Sequence, residues 1–332
     1  MKARVSVIVV NYNSGAFLLR CIQHCLRQTV LPDEIVVVDN ASEDGSLAGV
    51  RELPRVTVLQ MDRNIGFAAA NNRAIERCDA EFVVLLNPDA FPEPGWLAAL
   101  LGAAQARPDA AAFGSRQMQA GSEGVLDGTG DRYFISGQIR RDGYQVRCTA
   151  DDLRPREIFS PCAAAAMYRM DALRAIGGFD EDFFCYAEDV DLGFRLRLQG
   201  HRAWYVPDAV VWHVGSATTG GQHGDFATYH GHRNLVWVFV KNMPSALFWV
   251  LLPLHVALNV ASFLWLAARG QGGIAWRAKR DALKGLARMW AKRQSIERHR
   301  HVTVAEIWRQ LDRRLLPMCG RRSSSRDASP GS

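Results

Sequence analysis

Four short runs, Val5–Val10, Glu34–Asp39, Val56–Gln60 and Phe82–Asn87, are rich in Val and Ile and show no polar alternation. That is the pattern of strands covered on both faces. The stretches between them, Ser14–Gln28, Asp44–Leu53 and Phe67–Arg77, read as helices, so the chain begins with the βαβ rhythm of a parallel sheet. After Asn87-Pro88-Asp89, Trp96–Ala106 is predicted as a helix and Ala110–Ser115 as a fifth strand. Between Arg116 and Ile158 the periodicity fails among many Gly and charged residues, which is read as a hairpin and a mobile loop over the site. Further on come a strand over Ala163–Arg169, a short helix over Asp171–Ile176 closed by Gly177-Gly178, and an amphipathic helix over Asp189–Gln199 ended by Gly200. Arg202–Val206 and Ala209–His213 read as two short strands. The expected class is α/β, a mostly parallel sheet flanked by helices.

Ala246–Ala268 stands apart as 23 residues without a formal charge, long enough to span a bilayer. Charge is divided unevenly around it, with a net −5 over 1–268 and +9 over 269–315. A single span would put those two parts on opposite sides, although basic segments stay cytoplasmic. A re-entrant or interfacial helix avoids the conflict, and the internal Pro253, His255 and Asn259, with Trp249 and Trp265 as anchors, favour it. The basic extension therefore points to an anionic membrane surface. A nucleic-acid module would carry its charge on the folded domain and show a motif, and neither is found. The seven cysteines are scattered, with no Cys-x-x-Cys spacing, so a reducing compartment is expected. Only six apolar-leaning residues separate Arg4 from Asn11, too few for a signal-peptide core. The expected organisation is an α/β domain over 1–242, a hydrophobic and basic helical extension over 243–316 and a disordered tail over 317–332; nothing fixes the oligomeric state.

The chemistry is expected where strands end, because open α/β sheets bind ligands there. Asp39 follows one such strand, where it caps a helix or accepts hydrogen bonds from a ligand. Arg63-Asn64-Ile65-Gly66 offers a cation, an amide and a glycine that admits backbone to a ligand, or else a plain turn. Asn87-Pro88-Asp89 projects a carboxylate past the sheet, and a divalent cation on phosphate oxygens needs only one or two of these. Glu188, Asp189 and Asp191 open a helix beside Phe183-Phe184-Cys185-Tyr186. Helix-dipole pairing and an Asp191–Arg195 bridge account for Asp191, while aromatic surroundings would raise a carboxylate toward general-base use. His213 becomes a ligand candidate only because Asp89 proposes a cation short of donors. No Gly-x-Gly-x-x-Gly or P-loop fingerprint is present.

Taken together, Val7-Ile8-Val9-Val10-Asn11-Tyr12-Asn13, Val38-Asp39-Asn40-Ala41-Ser42, Asn64-Ile65-Gly66-Phe67-Ala68, Leu86-Asn87-Pro88-Asp89 and Gly177-Gly178-Phe179-Asp180 leading to Glu188-Asp189-Val190-Asp191 resemble the inverting glycosyltransferase family 2 of GT-A fold. More specifically, they resemble its rhamnosyltransferase-like bacterial branch. The resemblance implies a nucleotide-sugar donor, with Asp39 at the base, Asn11, Arg63, Asn64, Gly66 and Asn87 around the nucleotide-sugar, and a Mg²⁺ or Mn²⁺ ion on Asp89 and His213. Asn87 stands where the family's Asp-x-Asp signature has its first Asp. The resemblance further implies Asp189 as base with Glu188 beside it, a lipid-linked or saccharide acceptor, and work at the cytoplasmic face of a bacterial inner membrane. Rhamnose from dTDP-rhamnose is the first expectation. A non-catalytic sugar-binding or scaffold protein would not need Asp89 and Asp189 together. A nucleotidyltransferase would carry a basic Gly-rich loop where Asn11-Tyr12-Asn13-Ser14-Gly15 stands. A glycoside hydrolase would flank one bond with an acid and a base and needs no nucleotide pocket.

Overall fold

In the computed structural model, which describes residues 3–215 and 224–314, four buried strands form the parallel centre of the sheet: β1 (Val5–Asn11), β2 (Glu34–Asp39), β3 (Val56–Gln60) and β4 (Phe82–Leu86). They pair in the order β4-β1-β2-β3, with Asn11 opposite Asp39 and Asp39 opposite Gln60. Three strand ends therefore share one edge. α1 (Ala16–Leu26) and α2 (Phe67–Arg77) lie in the β1–β2 and β3–β4 crossovers, and α2 keeps the predicted bounds. Asp44–Leu53 is a correction: it forms turns, not a helix, because Gly45 and Gly49 both adopt positive φ.

The outer half of the sheet is mixed. After the short β5 (Ala90–Pro92) and α3 (Trp96–Ala106), β6 (Ala110–Gln119) runs well past the Ser115 boundary expected for it. The stretch expected to be a hairpin and mobile loop folds into β7 (Val125–Gly128), β8 (Asp131–Tyr133), β9 (Ile139–Arg141), β10 (Val146–Arg147) and β11 (Arg156–Ile158). β12 (Ala165–Arg169) inserts antiparallel between β4 and β6, and a short α4 (Met170–Ala175) follows it. After α5 (Glu188–Leu198), the two strands expected near the end are one, β13 (Arg202–His213), whose pairing with β6 shifts register between Val206 and Val210. Pro207 at that irregularity removes a ladder donor, which is why the pattern broke there in the sequence.

Five C-terminal helices follow: α6 (Asp225–Asn242), α7 (Ser245–Ala268), α8 (Gly272–Lys284), α9 (Leu286–Arg298) and α10 (Val304–Gln310). One hydrophobic cluster joins Phe183, Val190, Phe194 and Leu198 around α5 to Trp237, Phe239, Leu251, Met289 and Ile307. The core thus runs unbroken across residue 242. The tail expected to be disordered from 317 lies outside the described residues.

Candidate active site

Side chains at the carboxyl ends of β1 and β2 are tied into one buried knot. The Asn11 amide nitrogen lies 2.7 Å from Asp39 Oδ1, 2.8 Å from Ser46 Oγ and 3.0 Å from Ser42 Oγ, while Ser14 donates to the Asn11 carbonyl oxygen. Asp39 also accepts from the Ser42 N–H at 3.2 Å. Asn11 thereby shapes the loop after β2, with both ends of its carboxamide engaged.

Beyond β3, Asn64 Oδ1 accepts from the Gly66 N–H at 2.9 Å, and the Gly66 carbonyl accepts from Asn40 at 3.3 Å. Gly66 has φ +86°, and a Cβ there would sit 2.5 Å from the Phe184 ring, so no other residue fits this corner. Arg63 is exposed and, among the described residues, unpaired.

Past β4, Asp89 and His213 meet, His213 Nε2 standing 3.2 Å from Asp89 Oδ1. The other imidazole nitrogen, Nδ1, is 2.8 Å from Asp127 Oδ2, which Arg141 also grips at 2.8 Å. Asn87 Nδ2 lies 3.4 Å from the same Nε2, and the Gly215 N–H donates to Asp89 Oδ2 at 3.1 Å. Burial works against both charges, yet the Asp127 and Asp89 carboxylates push His213 up to about 9, and His213 in turn keeps Asp89 below the usual carboxylate range. These groups fit a hard divalent ion. A carboxylate oxygen and an imidazole nitrogen side by side are donors of the kind that would hold such an ion in place of the proton they now share. Asp127 fixes Nε2 as the outward nitrogen, as an outer carboxylate does for a metal-bound histidine. Mixed oxygen and nitrogen donors suit Mn²⁺ somewhat better than Mg²⁺.

Asp189, the second residue of α5, accepts from the N–H groups of Ala163 at 3.1 Å and Val190 at 2.8 Å. Ala164 accepts from the Asn87 N–H at 2.9 Å, so the chain entering β12 touches both acidic segments. The two therefore adjoin the same sheet edge. Burial raises Asp189 above the usual carboxylate range against the pull of those N–H groups and Arg141. Glu188 is raised further by burial and by Asp189, and its Oε2 is buried without a hydrogen-bond partner. Asp191 is different: wholly buried, it binds Arg195 at 2.8 Å, Lys241 at 2.8 Å and Asn242 at 2.8 Å, so its role is to hold the helix. Its bridge to Arg195 is the one expected from their spacing.

Four site residues escaped the sequence reading: Asp127, Asp131, Arg141 and Cys162. Asp131, Cys162 and Asp189 bring ligand atoms within 4.8 Å of one another, and burial with Asp189 nearby pushes Asp131 up to about 8. A Cβ on Gly128 would lie 2.5 Å from the Arg141 side chain, which explains the glycine. The signal was Asp127-Gly128-Thr129-Gly130-Asp131, two acids spaced by glycines, set in a stretch with no periodicity.

The glycosyl transferase family 2 model matches residues 6–177, and the glycosyl transferase family group 2 model matches 146–268. An N-acetylglucosaminyl-diphospho-decaprenol L-rhamnosyltransferase of Mycobacterium tuberculosis is 30% identical over 281 residues, 76% of this chain and 88% of that protein. A pre-mycofactocin glycosyltransferase from the same species is 28% identical over 256 residues, 70% of this chain and 50% of that protein. Among solved structures, a mannosyltransferase from Pyrobaculum calidifontis in complex with GDP-Man and Mn²⁺ superposes with TM-score 0.55 at 22% identity, covering 93% of this chain and 88% of that one. GalNAc-T7 with UDP, GalNAc and Mn²⁺ gives TM-score 0.59 at 17% identity over 72% of this chain and 48% of that one. The last two likenesses establish the fold.

Proposed function

The chain belongs to glycosyl transferase family 2, and on that premise we propose that it is an inverting, metal-assisted transferase moving a sugar from a nucleotide donor to a lipid-linked saccharide. Rhamnose is the sugar of choice, supported by the name of the mycobacterial relative, which also supports an N-acetylglucosaminyl-diphospho-polyprenol acceptor; dTDP as the donor's nucleotide and a place in surface-polysaccharide assembly complete the proposal. The observation that carries the reading is the shared edge of Asp89 and Asp189, joined through Asn87, Ala164 and Ala163.

Inversion needs one base to take the acceptor hydroxyl proton and positive charge to receive the departing nucleoside diphosphate. Asp189 serves as the base, since burial keeps its proton affinity high while the Ala163 and Val190 N–H groups aim its oxygens. Glu188 stands beside it as a second buried carboxyl. Asp89 and His213 would hold the ion, with Asn87 alongside; the ion supplies Lewis-acid stabilisation of the diphosphate. Arg63, open to solvent beyond β3, is assigned to the phosphates, while Asn64 and Gly66 shape that corner and Asp39 takes the nucleotide base with Asn11 behind it. The Asp189→Asn enzyme should lose turnover by at least ~10³-fold while keeping donor binding, because a general base acts only in the transition state. A panel of nucleotide sugars with Mn²⁺ or Mg²⁺, read by thermal unfolding, identifies the donor independently. Turnover retained in the variant removes Asp189 from this role.

The membrane reading rests on α7, 24 residues long with an 18-residue window of mean hydropathy 1.9. One face packs on the protein through Phe248, Leu251, His255 and Leu266, and the opposite face exposes Trp249, Val250, Val256, Val260, Leu264 and Trp265. In mid-helix, His255 meets the Ser136 carbonyl at 2.8 Å and stacks on Phe239 at 3.9 Å. Packed on the protein along one face and apolar along the other, α7 is read as lying in the interface plane, its outer face toward the acyl chains. We therefore assign the enzyme to the cytoplasmic face of the inner membrane.

A further inference from the structure

Three non-glycine residues just ahead of α5, namely Phe184, Tyr186 and Ala187, adopt left-handed φ of +63°, +69° and +63°. Such a run persists only where surrounding contacts impose it. Here three of the contacts converge on one residue of α6. Asn234 is wholly buried, and its amide nitrogen lies 2.9 Å from the carbonyl oxygen of Phe183, 2.9 Å from that of Cys185 and 2.7 Å from that of Tyr186. Its two N–H bonds serve three acceptors, so they gather the turn around one point. Arg233 adds Nη2 contacts to the carbonyls of Asp182 at 3.2 Å and Phe183 at 2.9 Å.

The turn joins two parts of the site. At one end the Phe184 ring fills the space over Gly66, and its carbonyl accepts from the Ala68 N–H at 3.2 Å. At the other end Ala187 is the N-cap of α5, and its carbonyl accepts the first helical hydrogen bond, from Asp191 at 2.9 Å. The direction in which α5 starts sets where Glu188 and Asp189 point. The carbonyls Asn234 holds set that direction at the entry to α5, and the Asp191 network holds the helix beyond it.

We propose that Asn234 is the positioning residue of the base: its carboxamide locks the 183–187 turn so that the donor corner at Gly66 and the carboxylate of Asp189 keep one relative placement. The role rests on the assignment of Asp189 as base. It predicts that Asn234→Ala lowers kcat at least 100-fold while changing the donor KM less than 3-fold, measured on the full chain with dTDP-rhamnose, Mn²⁺ and N-acetylglucosaminyl-diphospho-decaprenol. Val238→Ala, one turn along α6 in the hydrophobic cluster, serves as the stability control. It should lower Tm by a similar amount yet leave kcat within 3-fold. If Asn234→Ala does not fold, Asn234→Ser, which keeps one donor, is read in its place and should show the same split.

Amide hydrogen exchange supplies a readout that needs no substrate. Residues 184–191 and Ala68 should lose protection in the Asn234 variant and keep it in Val238→Ala. Equal kcat losses in the two variants, or unchanged exchange over 184–191, overturn the proposal. Turnover retained in Asp189→Asn overturns instead the assignment of the base, and the exchange result then still decides whether Asn234 holds the turn.

Discussion

His213 shows how far a single residue's role depends on partners remote in sequence. A histidine ending a strand is ordinarily structural, and its position gave no hint that Asp127, 86 residues earlier, lies against its Nδ1. That contact turns Nε2 toward Asp89, where an arriving cation would have to displace the ring proton to use both donors. Asp127→Asn should therefore weaken Mn²⁺ binding by ~10–100-fold, the usual loss when an outer partner of a ligating histidine is removed. Titration calorimetry of the full chain with Mn²⁺ checks this, and an unchanged affinity would place the ion elsewhere. Asp39, Asp89 and Asp189 stand out as candidates in the sequence because each lies at or just beyond the end of a recognisable element. Arg141 and Asp131 were not, since their importance lies in contacts across a hairpin that has no hydrophobic period of its own.

Elements with strong periodicity came out of the sequence nearly intact: α2 and α3 keep their expected bounds, and β1 to β4 pair in parallel as expected. Where a segment's shape is set by neighbours, the reading failed. Asp44–Leu53 has helix-like spacing but is bent by its glycines, and β7 to β11 are too short to show alternation. The junction of α5 with α6 shares in this second class, because ion pairs between residues remote in sequence add to its apolar cluster. Lys241 is buried and reaches Asp180 at 2.6 Å and Asp191 at 2.8 Å, and Lys292 reaches Asp180 at 2.5 Å. Removing one partner of such a buried network costs ~3–5 kcal/mol, because a charge is stranded. Lys241→Met should fall in that range by urea unfolding, toward its lower end because Arg195 and Lys292 remain. Burial opposes ionisation of Asp180 and Asp191, yet their lysine partners hold both below the usual carboxylate range. Their stabilisation is therefore complete above the unfolded-state value of ~3.9 and is lost as pH falls through the depressed folded values. The wild-type chain should lose stability steeply below about pH 4, and Lys241→Met less so, since part of that pH-dependent term has already gone.

At the scale of the whole molecule, the α/β part and the C-terminal helices form one piece through a shared hydrophobic cluster, so under the proposed membrane reading the bilayer surface dictates how the site is presented. The exposed face of α7 is continued on α8 by Trp276 and Leu283, which alternate with the exposed Arg277, Arg280 and Lys284. Apolar anchors ringed by cations suit an anionic interface, where each nearby basic residue contributes ~1 kcal/mol and a fully buried large apolar side chain ~1.5–3 kcal/mol. A site served by this face can receive an acceptor whose lipid stays in the membrane, with no need to extract it. The full chain should sediment with phosphatidylglycerol-containing vesicles at low salt. Trp249→Glu combined with Trp265→Glu should release most of it, by the loss of two anchors. Raising the salt should weaken binding without abolishing it, because screening acts on the cations and leaves the apolar part in place. Release by salt alone would assign the whole interaction to charge. Co-sedimentation of the double variant equal to wild type would place the membrane on another face. Neither tryptophan approaches Asp89 or Asp189 among the described contacts, so the variant should still transfer sugar to a short-chain, water-soluble acceptor analogue at the wild-type rate, while its rate on vesicle-embedded acceptor falls with its binding.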